Sequence, residues 1–272
     1  MNLTSRRFGF RKSFTGVLAA LSLCWGALAP FSAAHAQDKT CALVLMHGKG
    51  GAPREMSFFG RKMEPPCVFK SVEMPWSQRR AYDQPYPVAL QDIAAVVKEY
   101  RSQGYQRVLL VGHSFGANAG MAYMATLGDA DGVIALAPGH SPRHMYNANI
   151  GRAAVDKARE LVATGKGSET LTMDDLNQGK RTSPSMSAET LLSYFDPDGL
   201  GDMPTSAAKF KKPVPFLWVI GMQDPLYRAG QAYAFDKVPA HPHSQYLVVQ
   251  AGHLDTPDVA AAQVLAWIKA LP

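Results

Sequence analysis

Runs of apolar residues and amphipathic stretches alternate along most of this chain. Residues 42–46 form a continuous apolar run, and 68–74 read as a second strand. In residues 87–103, Val88, Ile93, Val96, Val97 and Tyr100 recur at helical spacing. A strand at 108–111, a small-residue helix at 115–126 and a strand at 132–137 follow. After a long interval come a strand at 215–220, a helix around 228–236, a strand at 246–249 and a helix at 257–271. Near-continuous apolar strands separated by amphipathic helices predict a mostly parallel sheet covered on both faces, a three-layer α/β sandwich.

The interval 139–213 breaks this rhythm. Helices are expected at 152–164, at 188–195 and from the capping pattern Thr172-x-x-Asp175. An insertion of this length between two strands of a compact domain is expected to act as a helical lid or cap. With 272 residues, 47% of them hydrophobic, the chain is sufficient for one large core.

The N-terminal 36 residues follow different rules. Arg6, Arg7, Arg11 and Lys12 precede an apolar run at 17–29, and Ala34-His35-Ala36 follows it. This is the pattern of a cleaved signal peptide, and the run is shorter than the roughly 20 residues a membrane span needs. The mature domain is therefore expected at 37–272, in the periplasm or secreted, with no membrane span. Ser5-Arg6-Arg7 resembles a twin-arginine signal, but Gly9 stands where a bulky apolar residue is usual, which favours general secretion.

Cleavage changes the charge and cysteine arithmetic. The net charge of +6 falls to +2, because the leader holds four basic and no acidic residues, and this removes support for nucleic-acid binding. Of three cysteines, Cys41 and Cys67 remain. An even pair in an exported chain reads as a disulfide, the alternative being two buried thiols.

The most informative stretch is Gly112-His113-Ser114-Phe115-Gly116, a G-x-S-x-G motif between a strand and a helix. The glycines give clearance to a serine on a tight turn, and the following helix aims free N–H groups at it. A serine hydroxyl needs a base, and the base needs an acid. Asp224 follows the apolar run 216–220, and His253 follows 246–249, so the chain order is Ser, Asp, His. Asp196, Asp198, Asp202 and Asp255 are read as turn, cap or surface residues, His113 as packing behind the turn, and His47 as structural.

These features resemble the α/β-hydrolase superfamily over residues 41–272, through His47-Gly48-Lys49-Gly50, the serine turn, Gly221–Asp224 and Gly252-His253. The resemblance implies Ser114 as nucleophile, His253 as base then acid, and Asp224 holding the imidazole. It also implies that the amides of Lys49 and Phe115 form an oxyanion hole. Such chemistry needs no metal or organic cofactor and takes a small acyl ester or thioester as substrate. Acyl transfer, amide cleavage and a non-catalytic binding role on the same fold are the alternatives. Trp76, His140 and Tyr194 are candidates for the substrate pocket, and Trp218, inside a strand, is read as core.

Overall fold

The computed structural model describes residues 39–272. The expected leader lies outside the described residues.

Six strands form the central sheet: β1 (Cys41–Met46), β2 (Cys67–Val72), β3 (Arg107–His113), β4 (Gly132–Leu136), and two later ones that follow a long segment after β4. That segment carries α4 (Pro142–Asn147), α5 (Arg152–Ala163), α6 (Ala188–Phe195), α7 (Met203–Ala207) and four short strands, β5 (Thr170–Thr172), β6 (Asp175–Asn177), β7 (Lys180–Thr182) and β8 (Ser185–Ser187). The sheet then resumes with β9 (Phe216–Gly221) and β10 (Gln245–Val249). The order is β10-β9-β4-β3-β1-β2, and every pairing is parallel. Among the described residues three helices precede the segment, α1 (Pro53–Arg61), α2 (Tyr86–Ser102) and α3 (Phe115–Thr126), and α8 (Thr256–Ala270) follows β10.

The alternation of side chains along each strand divides the core in two. Val44, Met46, Leu110, Ala135 and Trp218 face one layer, with α2, α3 and the segment after β4. Leu43, Leu45, Leu109, Ile134 and Val219 face the other, with α1 and α8. Because both faces are covered, the inner strands β1, β3, β4 and β9 carry no polar face, and for that reason they read as continuous apolar runs. Trp218 is in the core, with its ring stacked on Tyr246.

Two expected helices are absent. The Thr172-x-x-Asp175 pattern does not start a helix; the segment folds as the β5–β8 pair and the β6–β7 hairpin. Gln178 and Gly179 both take positive φ, 50° and 75°, which is the turn geometry that matches strand twist in a two-residue hairpin. The Thr172 hydroxyl bonds across to Ser185 instead of capping. The segment between β4 and β9 is therefore mixed rather than purely helical. Around 228–236 the chain makes three short 3-10 turns, because Gly230 at φ 67° and Ala234 at φ −144°, ψ −33° interrupt any longer helix.

Cys41 and Cys67 are register partners on β1 and β2 and are joined by a disulfide. The bond closes a loop of sequence separation 26, and by chain entropy it contributes about 3 kcal/mol. Replacing both cysteines with alanine is expected to lower Tm by roughly 6–12 °C in a calorimetric scan, without altering the native circular dichroism. An unchanged Tm would show that the bond constrains nothing.

Candidate active site

The turn between β3 and α3 is strained, with Ser114 at φ 55° and ψ −116°. That conformation brings its neighbours into close contact. A Cβ at Gly112 would lie 2.1 Å from the Gly116 carbonyl, and one at Gly116 would lie 2.2 Å from the Met46 oxygen. Only glycine fits at either position, and the turn lifts the Ser114 hydroxyl above the sheet. Strain of this kind, about 1–3 kcal/mol, persists only where the surroundings enforce it.

Two loops at the same ends of β9 and β10 meet this hydroxyl. Asp224 follows β9, and its Oδ1 accepts the Leu226 amide at 2.8 Å, which fixes the carboxylate. Its Oδ2 accepts from His253 Nδ1 at 2.6 Å. Because a carboxylate can only accept, the proton is on Nδ1, and Nε2 is left to accept from Ser114 Oγ at 2.9 Å. All three side chains are buried.

The loop after β1 approaches from the other side. His47 is fully buried; its Nδ1 donates to the Gly48 carbonyl at 2.8 Å, and its Nε2 accepts the Met74 amide at 3.1 Å. Burial pushes its pKa down, consistent with a neutral ring that braces the loop. Among the described residues, neither the Lys49 nor the Phe115 amide donates a hydrogen bond. Both residues line a cavity of about 160 Å³ together with Ser114.

The Lys49 side chain turns away from solvent. Its Nζ reaches both carboxylate oxygens of Asp175 on β6, at 2.8 and 2.9 Å, and lies 5.3 Å from the Phe195 ring centroid. Burial lowers the ammonium pKa, and the Asp175 charge opposes that shift. Nothing in the sequence pattern distinguished Asp175 from a helix cap.

The three pocket candidates divide. His140, at φ 68°, lines the cavity with its ring stacked on Phe115 at 3.9 Å, and its Nε2 donates to the Tyr194 carbonyl at 2.8 Å. Trp76 and Tyr194 do not reach the cavity. Trp76 is 1% exposed, donates to the His47 carbonyl at 2.9 Å and stacks on Phe115, so it supports the loop from behind. Tyr194 is fully buried and donates to the Gln84 carbonyl. The aromatic cluster behind the serine turn takes up both rings before either can line a wall.

Asn118 was not foreseen from the sequence. It is fully buried on α3, accepts from the Tyr86 hydroxyl and donates to the carbonyls of Gly201 (2.6 Å) and His140 (3.3 Å). It thereby ties the segment after β4 to the helix that carries Ser114. The other acids lie elsewhere: Asp196 pairs with Arg159, Asp202 caps α7, and Asp255 precedes α8. No cluster of three or more His, Cys, Asp or Glu side chains that could hold a metal occurs among the described residues.

His113 packs behind the turn and donates from Nε2 to the His253 carbonyl at 3.0 Å. Burial, reinforced by the His253 ring, pushes its pKa down to about 4. The unfolded chain binds that proton at the usual 6.5. The His113 contribution to stability is therefore present above pH 6.5 and is lost as pH falls toward 4. Between pH 7 and pH 5 the loss from His113 alone is about 2 kcal/mol, and His47 and His140 add loss of the same sign. Urea midpoints at the two pH values check this; a midpoint that does not fall at pH 5 would contradict it.

A sequence profile described as the alpha/beta hydrolase family matches residues 14–264. The chain belongs to the alpha/beta hydrolase family. No curated protein matches it by sequence. Among solved structures it is similar to an α/β hydrolase, GrgF, from Penicillium sp. sh18, with 15% identity, coverage of 85% of this chain and 89% of that one, and a TM-score of 0.63. It is similar to a thermostable carboxyl esterase from Bacillus coagulans at 17% identity, 85% and 89% coverage and TM-score 0.62. A monoacylglycerol lipase from Paleococcus ferrophilus gives 17% identity, 84% and 95% coverage and TM-score 0.61. At these identities the likeness is one of fold.

Proposed function

We propose that this member of the family is an exported serine hydrolase that cleaves carboxylic esters or thioesters through an acyl-enzyme on Ser114. The observation that carries this reading is the hydrogen-bonded chain from Ser114 Oγ through the His253 ring to Asp224, at 2.9 and 2.6 Å. A purely structural serine needs neither a strained backbone nor a buried imidazole in the acceptor tautomer beside it.

In this mechanism Ser114 Oγ attacks the acyl carbonyl while His253 Nε2 takes its proton, and Asp224 stabilises the imidazolium that forms. The carbonyl oxygen, now negative, sits between the Lys49 amide of the loop after β1 and the Phe115 amide at the N-terminus of α3, where the helix dipole favours anions. His253 then gives the proton to the leaving group. Water repeats the sequence in reverse and frees the acid. Ester substrates are named for the esterase and lipase neighbours, and the proposal extends that substrate class to this chain. Export is supported by the N-terminal sequence pattern and by the Cys41–Cys67 disulfide, a bond that persists in oxidising compartments.

Incubation with a fluorophosphonate, followed by peptide mass spectrometry, tests the reading. A single adduct on the Ser114 peptide is expected, and a wild-type protein that remains unlabelled would refute the nucleophile.

A further inference from the structure

Two cavities meet at His253. The smaller, about 160 Å³, is lined by Ser114, Lys49 and Phe115 together with Met145 and Ile150. The larger, about 810 Å³, is lined by Asp224, Pro225, Leu226, Ala229 and Tyr233, and touches neither Ser114 nor the two amides. His253, Gly139, Ser141, His144, Leu176 and Gln178 line both. Gly139 marks the passage between them: a Cβ there would stand 2.6 Å from Ser114 Oγ and 3.4 Å from His253 Cε1.

The order of proton transfer decides which part of an ester enters which cavity. The acyl carbonyl must reach Ser114 and the amides of Lys49 and Phe115, so the acyl chain runs into the small cavity. The leaving oxygen must receive its proton from His253 Nε2, so its substituent runs past the lining that the two cavities share at His253 and Gly139 into the large cavity. A space near 150 Å³ accommodates a molecule of about benzene size, whereas roughly 300–1,000 Å³ is the range of sites that hold drug-sized ligands. The large cavity offers Gln178, Gln223 and Ser141 beside Leu226 and Tyr233, a mixed polar and apolar lining.

From these dimensions we infer that the substrates are esters of a short acyl group, up to about six heavy atoms, with a bulky, partly polar alcohol, and that Met145 and Ile150 set the acyl length. The inference rests on the serine-hydrolase reading above. It excludes long-chain fatty acyl groups.

Two isomeric esters separate the cavities without a change in composition or in leaving-group chemistry: 2-cyclohexylethyl butyrate and butyl cyclohexylacetate. Measured in a pH-stat on wild-type protein, kcat/KM for the first is expected to exceed that for the second by about tenfold or more, the range a misfitting apolar group commands. Ile150→Ala, which enlarges only the small cavity, is expected to narrow the ratio by raising the rate on butyl cyclohexylacetate. Equal or reversed preference in wild-type protein overturns the assignment, as does labelling of Ser114 by a fluorophosphonate with hydrolysis of neither ester. If Ser114 is not labelled and neither ester is cleaved, the hydrolase reading itself has failed, and this inference fails with it.

Discussion

Replacing Ser114 with alanine is expected to reduce kcat about a millionfold and to abolish fluorophosphonate labelling, with little change in stability. The size follows from the way the three side chains act as a unit. In the proposed mechanism, loss of Oγ removes the acyl-enzyme and leaves His253 nothing to deprotonate in the first half-reaction. His253→Ala is expected to cost a similar factor, and the double variant no more than either alone, because each removal already disables the same step. Asp224→Asn should cost about ten-thousandfold, since an amide presented to Nδ1 favours the wrong tautomer while leaving the geometry in place. Steady-state kinetics on a short-chain ester, with the fold checked by circular dichroism, measures all four. Additive losses in the double variant, or a Ser114→Ala enzyme within a hundredfold of wild type, would place the nucleophile elsewhere.

The core of the fold was legible because a parallel sheet buried on both faces leaves a direct trace, apolar runs such as 108–111 and 216–220 with turn residues between them. The residues meeting at Ser114 were legible for a related reason. Each sits immediately beyond such a run, so finding the strand ends located Ser114, Asp224 and His253 together. What escaped was set by tertiary context. Thr172 and Asp175 have the spacing of a capping box, and only the positive φ angles at Gln178 and Gly179 reveal a hairpin there. Trp76 leaves β2 on the side of the site, yet its indole N–H finds the His47 carbonyl and its ring finds Phe115, contacts between segments distant in sequence. Asn118 sits in a helix that is otherwise small and apolar, and its three partners come from α2 and the segment after β4.

The second large effect is expected at Asp175, a residue with no part in the proton relay. Its carboxylate is 1% exposed and Lys49 10% exposed, so their ion pair is buried. Coulombic attraction in such a place offsets desolvation only while both charges are present. Asp175→Asn leaves the Lys49 ammonium without its counter-charge beside the rings of Phe115 and Phe195, and is expected to destabilise the protein by about 3 kcal/mol. The consequence for catalysis comes through the backbone. Asp175 and Asn177 both lie on β6, and Asn177 Nδ2 donates to the Lys49 carbonyl at 3.4 Å, so the hairpin holds the peptide unit that follows the Lys49 amide. If the strand swings away to hydrate the cation, that amide moves. A displacement near 1 Å costs about a hundredfold in rate, and the loss should appear in kcat rather than in KM, because the amide meets the substrate oxygen most strongly once it is charged. The double variant Lys49→Met, Asp175→Leu removes both charges while keeping the Lys49-position amide. Its stability is expected to return to within about 1 kcal/mol of wild type, as replacing both members of a buried pair by apolar groups is often neutral or better. Its kcat should recover with it. Urea midpoints and kcat for the three proteins decide the matter: an Asp175→Asn protein with native stability and native kcat would mean that the hairpin and the Lys49 loop are not coupled.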